Sequence, residues 1–187
     1  FGCLAELLII AAALEAQDPR ERPHDKQQAA DEAHAQFQDP ESDFLSYLKL
    51  WDFYHHLRED LSRSKLEKAC RQNFLSYNRL REWLDLYLQL KQMVEQAGLK
   101  PGQRRGDYTA IHQSILSGLL SGVGLRTDDN DYSTAGGGRA NLWPGSGLRD
   151  KKPKWAMASE AIETTRRYLR IAARINPDWI EPLAEHL

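Results

Sequence analysis

The residue types that usually announce chemistry are scarce in this chain. Its two cysteines, Cys3 and Cys70 in 187 residues, have no metal spacing and no disulfide framework. Buried free thiols in a reducing cytoplasm are the expected reading. The apolar run from Leu4 to Leu14 is too short to span a bilayer and has no basic leader, so no membrane association is expected. No G-x-x-x-x-G-K-(S/T) occurs to hold phosphates, and no G-x-S-x-G elbow to present a serine nucleophile. The histidines His24, His34, His55, His56, His112 and His186 show no two-plus-one ligand spacing, so no metal site is expected. With a formal net charge of −2, no global field points to a polyanion. Nothing here supports a small hydrolase.

What the chain has is charge asymmetry and a change of hydrophobic period. From Glu15 to Leu45 there are nine acidic and three basic residues, whereas from Arg139 to Arg174 there are nine basic and three acidic. Up to Gly98 the period is helical. Cys3 to Ala16 is apolar nearly all round and reads as a buried helix; His24 to Gln38 reads as a polar Ala/Gln-rich one. Ser42 or Asp43 caps the next helix, and Ser64-x-x-Glu67 predicts a capping box. Leu80, Trp83, Leu84, Tyr87, Leu88 and Val94 give one face of a helix that Gly98 ends.

After the linker Lys100 to Gly106, Asp107 caps one more helix and the period shortens. Val123 to Thr127 reads as a strand, Asp128 to Asp131 as a turn, and Tyr132 to Leu142 as a glycine-interrupted hairpin. Trp155 to Ile162 alternates, with Trp155 expected in the core. Leu169, Ile171, Ala173 and Ile175 share one strand face, opposite Arg170 and Arg174. Asn176-Pro177 starts a short closing helix. The expected fold class is α+β, an all-α helical bundle over 1–98 and a small β-barrel over 99–187 with a leading and a closing helix.

The candidate binding residues follow from the basic excess and the aromatics beside it. They are Arg139, Trp143, Ser146, Arg149, Lys151, Lys152, Lys154, Arg166 and Arg167, with Arg20, Arg22, Asn78 and Arg81 as weaker candidates on the helical half. Cations interleaved with tryptophans are what a barrel needs to hold a single strand by charge and stacking. The plain alternative is a solvated barrel surface. Asp31-Glu32-Ala33-His34 lies in the polar helix with no phosphate loop, and reads as an exposed helix face. Gly136-Gly137-Gly138 lacks a lysine and a following helix, and reads as a bend.

The run PKWAMASEAIETTRRYLRIAARINPDWIEPLAEHL resembles the C-terminal end of DEAH-box RNA helicases, with their P-x-W-V-x-x-E-L-V-x-T pattern and a following I-x-P-x-W-L. The likeness is strongest to the long bacterial HrpA-type members. It extends upstream through LLIIAAALEAQDPRERP, SDFLSYLKLWDFY and ACRQNFLSYNRLREW, which resemble the family's ratchet-like helicase-associated domain. RANLWPGSGL is similar to the barrel motif written (I/L)-H-P-x-S, with Trp143 where many members have His.

The resemblance implies that the barrel is an oligonucleotide-binding (OB) fold. It also implies that the chain, which opens without an initiator Met, is a piece of a longer 3′–5′ RNA helicase. ATP and Mg²⁺ belong to the absent upstream core; the chain itself is expected to need no cofactor and to catalyse nothing. Its implied partners are single-stranded RNA and that core. A non-catalytic protein-interaction module, docking a partner on the acidic stretch, is the alternative.

Overall fold

The computed structural model describes residues 1–102 and 105–185. Gln103 and Arg104 of the expected linker, and His186 and Leu187 at the end, lie outside the described residues. Among the described residues the helices are α1 Leu4–Glu15, α2 Gln27–His34, α3 Asp43–Asp60, α4 Arg63–Gln72, α5 Tyr77–Gln96, α6 Tyr108–Gly118 and α7 Ile180–Ala184. The strands are β1 Val123–Arg126, β2 Tyr132–Thr134, β3 Arg139–Leu142, β4 Trp155–Glu163 and β5 Arg167–Arg174, closed in the order β1-β2-β3-β5-β4. Helices followed by a closed five-strand barrel are the expected α+β class. No helix is long and apolar enough to cross a membrane among the described residues.

Two compact units divide the chain. One comprises Leu4–Gln38 and Tyr47–Gln103, the other Phe1–Cys3, Asp39–Ser46 and Arg104–Leu187. The chain passes between them within α3, after Ser46.

In the helical unit, α1 packs on α5. Trp83 is buried and its indole N–H donates to the Ile9 carbonyl at 2.9 Å. Trp51 and Tyr47 meet it edge-on, with ring centroids 5.1 and 5.9 Å away. The Ser76 side chain caps α5 by accepting from the Arg79 N–H, and Gly98 ends it at φ +81°, where other residues are strained.

Three expectations need correcting here. His24 to Gln38 is not one helix but a 3₁₀ turn, the short α2 and a second 3₁₀ turn, because so polar a stretch lacks a continuous face to bury. Ser64 forms no capping box: α4 starts at Arg63 after Ser62, and Glu67 pairs instead with Arg63 at 3.0 Å. The α1 helix is not apolar-buried all round, since Leu14 is exposed while Glu6 is buried.

In the barrel unit, Tyr132, Ala140, Leu142, Leu148, Ala156, Ala158, Leu169 and Ala172 form the core. Two glycines allow close backbone approach. A Cβ on Gly122 would meet the Ala158 carbonyl oxygen at 2.2 Å, and one on Gly147 the Asp39 carbonyl oxygen at 2.1 Å. Segment Asp39–Ser46 belongs here because its backbone continues the sheet. Ser42 bridges Ala173, and the Arg174 N–H donates to the Glu41 carbonyl at 2.8 Å. The Asp107 cap of α6 and the Asn176-Pro177 start are as expected.

The alternation predicted for β5 breaks. Ile171 has φ +56°, a strained value for a β-branched residue, so the phase slips. Ile171 alone leaves the expected buried face: it is half-buried, whereas Leu169, Ala173 and Ile175 are buried as expected and Ala172 joins Leu169 in the barrel core. The slip lets the Ala172 N–H donate to the Asp43 carboxylate at 2.9 Å. Trp155 is also not core: at the first position of β4 it is half-buried, and Ala156 and Ala158 fill the interior.

Candidate nucleic-acid interface

The loop from Trp143 to Lys154, between β3 and β4, carries most of the candidate residues and is fixed at several points. Leu148 is fully buried in the barrel core. The Ser146 hydroxyl donates to the Asp43 carboxylate at 2.6 Å, and the Gly147 N–H donates to the same carboxylate at 2.8 Å. Farther along, the Tyr132 hydroxyl donates to the Pro153 carbonyl at 2.6 Å, and burial pushes its phenol up to about 12. Arg126 donates from its guanidinium to the Lys152 carbonyl and from its backbone N–H to the Lys154 carbonyl. Lys152 sits at φ +42°. These anchors hold the backbone while the cationic side chains stay outside.

The predicted residues divide accordingly. Lys151 and Lys154 are exposed and Lys152 is half-buried, and none of the three has an ion-pair partner among the described residues. Arg149 is exposed, its guanidinium 3.4 Å from the Pro144 carbonyl. Ser146 is buried and committed to Asp43, a structural role that leaves its hydroxyl no free face for a ligand.

A second group lies at the far end of β4. Arg166 is exposed in the β4–β5 turn, and Arg167 donates to the Gly137 carbonyl in the β2–β3 turn. Lys154 precedes β4 and Arg166 follows it, so at about 3.3 Å per residue the strand between them runs roughly 26 Å. Arg139 belongs to neither group, for its guanidinium pairs with Asp129 at 3.0 Å and Asp131 at 3.6 Å.

Between these groups, on the outer side of β5, sits an aromatic site. Trp143 and Tyr168 meet edge to face, with centroids 5.4 Å apart and planes at 84°. The Arg170 guanidinium lies over the indole, 5.7 Å from the ring centroid, and its Nη1 is 3.5 Å from a Glu160 carboxylate oxygen. Sequence reasoning placed Arg170 in the basic set considered for nucleic-acid contact but proposed neither Tyr168 nor Glu160 for the site. The signal was present: a hairpin turning at Thr164–Arg166 places Glu160 directly opposite Arg170, as the register does.

On the helical unit, Arg20 pairs with Asp18 at 2.8 Å and Arg22 with Asp31 at 2.7 Å. The Asp31 carboxylate, hydrogen-bonded by Arg22, is held below the usual carboxylate range. Asn78 is exposed in the first turn of α5, and the Arg81 guanidinium stands 5.9 Å from the Tyr77 ring. The Asp31-to-His34 segment is only partly the exposed face expected, since His34 is buried and its Nε2 donates to the Phe74 carbonyl at 3.0 Å.

Residues 111–187 match the model of the oligonucleotide/oligosaccharide-binding (OB) fold, and residues 1–47 that of the helicase-associated domain (HA2), ratchet-like. A ratchet-like helicase-associated segment followed by an OB barrel is the arrangement these two matches describe, and along its length the chain is similar to RNA helicases.

Over its full length it is 47% identical to the ATP-dependent RNA helicase HrpA of Escherichia coli (strain K12), of which it spans 14%. It is 44% identical to the HrpA homolog of Haemophilus influenzae, also spanning 14% of it. A more distant relative is the probable ATP-dependent RNA helicase DHX35 of Homo sapiens, 27% identical over the whole of this chain and 26% of that protein.

The sequence has no phosphate-binding loop, and no group of three His, Cys, Asp or Glu residues could hold a metal ion among the described residues.

Proposed function

We propose that this chain is the accessory RNA-holding region of an ATP-dependent DEAH-box RNA helicase, with catalysis residing in the remainder of the parent protein. Its barrel holds single-stranded RNA along the β3–β4 loop and the outer side of β5, and that hold is coupled to the parent's ATPase cycle. The observation that carries this reading is the set of exposed cations without carboxylate partners among the described residues, Lys151, Lys154 and Arg166, disposed along an OB barrel about the half-buried Trp143. Backbone phosphates supply the attraction, and stacking adds affinity with little sequence preference.

Fluorescence anisotropy with a labelled single-stranded RNA tests the hold; no binding at low salt would refute it. Coupling is tested in the parent helicase, where charge reversal at Lys151, Lys152 and Lys154 is expected to weaken RNA-stimulated ATP hydrolysis and leave basal hydrolysis unchanged. The isolated chain is expected to hydrolyse no ATP with or without RNA, as phosphate release would report.

A second reading, a non-catalytic protein-interaction module, is favoured by one observation: the end of α5 exposes Leu88 and Met93, with Leu99 just beyond, at 50%, 63% and 54%. The acidic stretch contributes less than its composition suggested, because Asp18 and Asp31 are already paired with arginines. RNA affinity unmoved by the triple lysine change would favour this reading.

A further inference from the structure

The Arg170 guanidinium covers one face of Trp143 while a carboxylate holds it from the other side. We infer that Trp143, Arg170 and Glu160 form a base-stacking clip, in which the guanidinium covers the indole until a nucleobase takes its place against the ring. Glu160 sets how readily the cover moves. This inference rests on the reading that RNA meets this face, and it deepens that reading by making the interaction sensitive to bases as well as to phosphates.

The geometry defines what must move. Stacked bases are spaced about 3.4 Å apart, so a base held between two flat groups needs about 6.8 Å. The guanidinium carbon is 5.7 Å from the indole centroid, too close to admit a base and too far for tight contact. Opening by about 1 Å, or a swing aside, suffices. The indole is the fixed half of the clip. The Trp143 backbone N–H donates to the Leu169 carbonyl at 2.9 Å, Tyr168 meets the ring edge-on, and Gly145 leaves only 3.4 Å for a Cβ beside it.

Arg170 is the movable half. It stands on β5 directly opposite Glu160 on β4, and their side chains are 37% and 48% exposed. An ion pair so exposed is weak and readily exchanged. A bound strand supplies a phosphate that can replace the carboxylate as partner of Arg170, so the charge is not stranded when the cover opens.

The test uses the 187-residue chain and two labelled probes of equal length, a single-stranded RNA and a ribose-phosphate strand without bases. W143A is expected to lower affinity for RNA about 5- to 150-fold, the range of stacking one base on an aromatic ring, and to leave the abasic strand unchanged. E160Q removes a negative charge and so strengthens both probes, but it is expected to strengthen RNA about 2- to 5-fold more. If W143A proves unfolded by circular dichroism, W143F takes its place, with an expected loss of a few-fold on RNA alone.

Equal effects of the Trp143 changes on both probes, or none on either, would overturn the clip while leaving charge-driven RNA binding in place. Equal effects of E160Q on both probes would remove Glu160 from it. Failure of the unaltered chain to bind either probe at low salt would overturn the RNA reading itself, and the clip with it.

Discussion

The Asp43 carboxylate accepts a 2.6 Å hydrogen bond from the Ser146 hydroxyl, joining two positions 103 residues apart in sequence. It also accepts from the N–H groups of Gly147 and Ala172, so one side chain at the start of α3 holds the β3–β4 loop against β5. The loop it secures is the one that carries Lys151, Lys152 and Lys154.

Asp43→Ala is therefore expected to destabilise the barrel unit by about 3 kcal/mol, because three donors lose a charged acceptor. Ser146→Ala removes one of them and is expected to cost about 1–2 kcal/mol. Urea denaturation checks both. Because Ser146 acts on structure, RNA affinity of the folded Ser146→Ala chain should match the unaltered one; a large loss would restore Ser146 as a contact residue.

His112 gives the barrel unit a defined acid sensitivity. It is fully buried; its Nδ1 lies 2.7 Å from the Tyr108 carbonyl, and its Nε2 lies 2.6 Å from the Ser42 hydroxyl. A carbonyl only accepts, so the neutral ring donates from Nδ1 and accepts from Ser42 at Nε2. Burial above all lowers its pKa from 6.5 to about 4. Between those values the unfolded chain binds a proton that the folded chain does not. Stability is thus fully present above pH 6.5 and falls as pH drops toward 4, by about 3 kcal/mol in total for this group. His34 and His55 are lowered too, mainly by burial, so His112→Gln should flatten the pH profile of stability without abolishing its slope. An unchanged slope would assign the effect elsewhere.

In the Asp31-Glu32-Ala33-His34 segment the carboxylates matter less than the histidine. Asp31 pairs with Arg22 at side-chain exposures of 54% and 52%, and Glu32 accepts from the exposed Gln28. Changing both acids to alanine should cost no more than about 1 kcal/mol. His34→Ala, which empties a buried position and orphans the Phe74 carbonyl, should cost about 2 kcal/mol. Thermal melts of the two variants give the order, and the reverse order would refute it.

The three lysines of the β3–β4 loop are expected to dominate RNA affinity. If three or four cations meet phosphates, log affinity should fall against log salt with a slope of about −2 to −3. Lys151, Lys152 and Lys154 changed together to Glu should abolish most binding, whereas charge reversal at Arg20 and Arg22 should cost less because both are already ion-paired. Anisotropy at two salt concentrations measures both quantities, and salt-independent binding would contradict the electrostatic account.

The sequence by itself determined the class of fold and the order of its parts. Helical periodicity up to Gly98 and two-residue alternation after Val123 are local consequences of which side chains must be buried, and they persist in α5 and β3. Caps at Ser76, Asp107 and Asn176 are equally local, since a side chain satisfies N–H groups two or three residues away.

Local pattern failed where a distant group set the outcome. Ile171 breaks the β5 alternation where the Ala172 N–H turns to Asp43, 129 positions upstream in sequence. Segment Asp39–Ser46 reads as a helix start, yet its backbone hydrogen bonds are completed by β5. The basic stretch from Arg139 to Arg174 looked uniform, but pairing divides it. Arg139, Arg170 and Arg174 face carboxylates across strands or loops, and among the described residues Lys151, Lys154 and Arg166 do not. Composition counts charges, but only the tertiary structure decides which are neutralised by a neighbour, because an ion pair depends on a few ångströms of separation that residue order does not record.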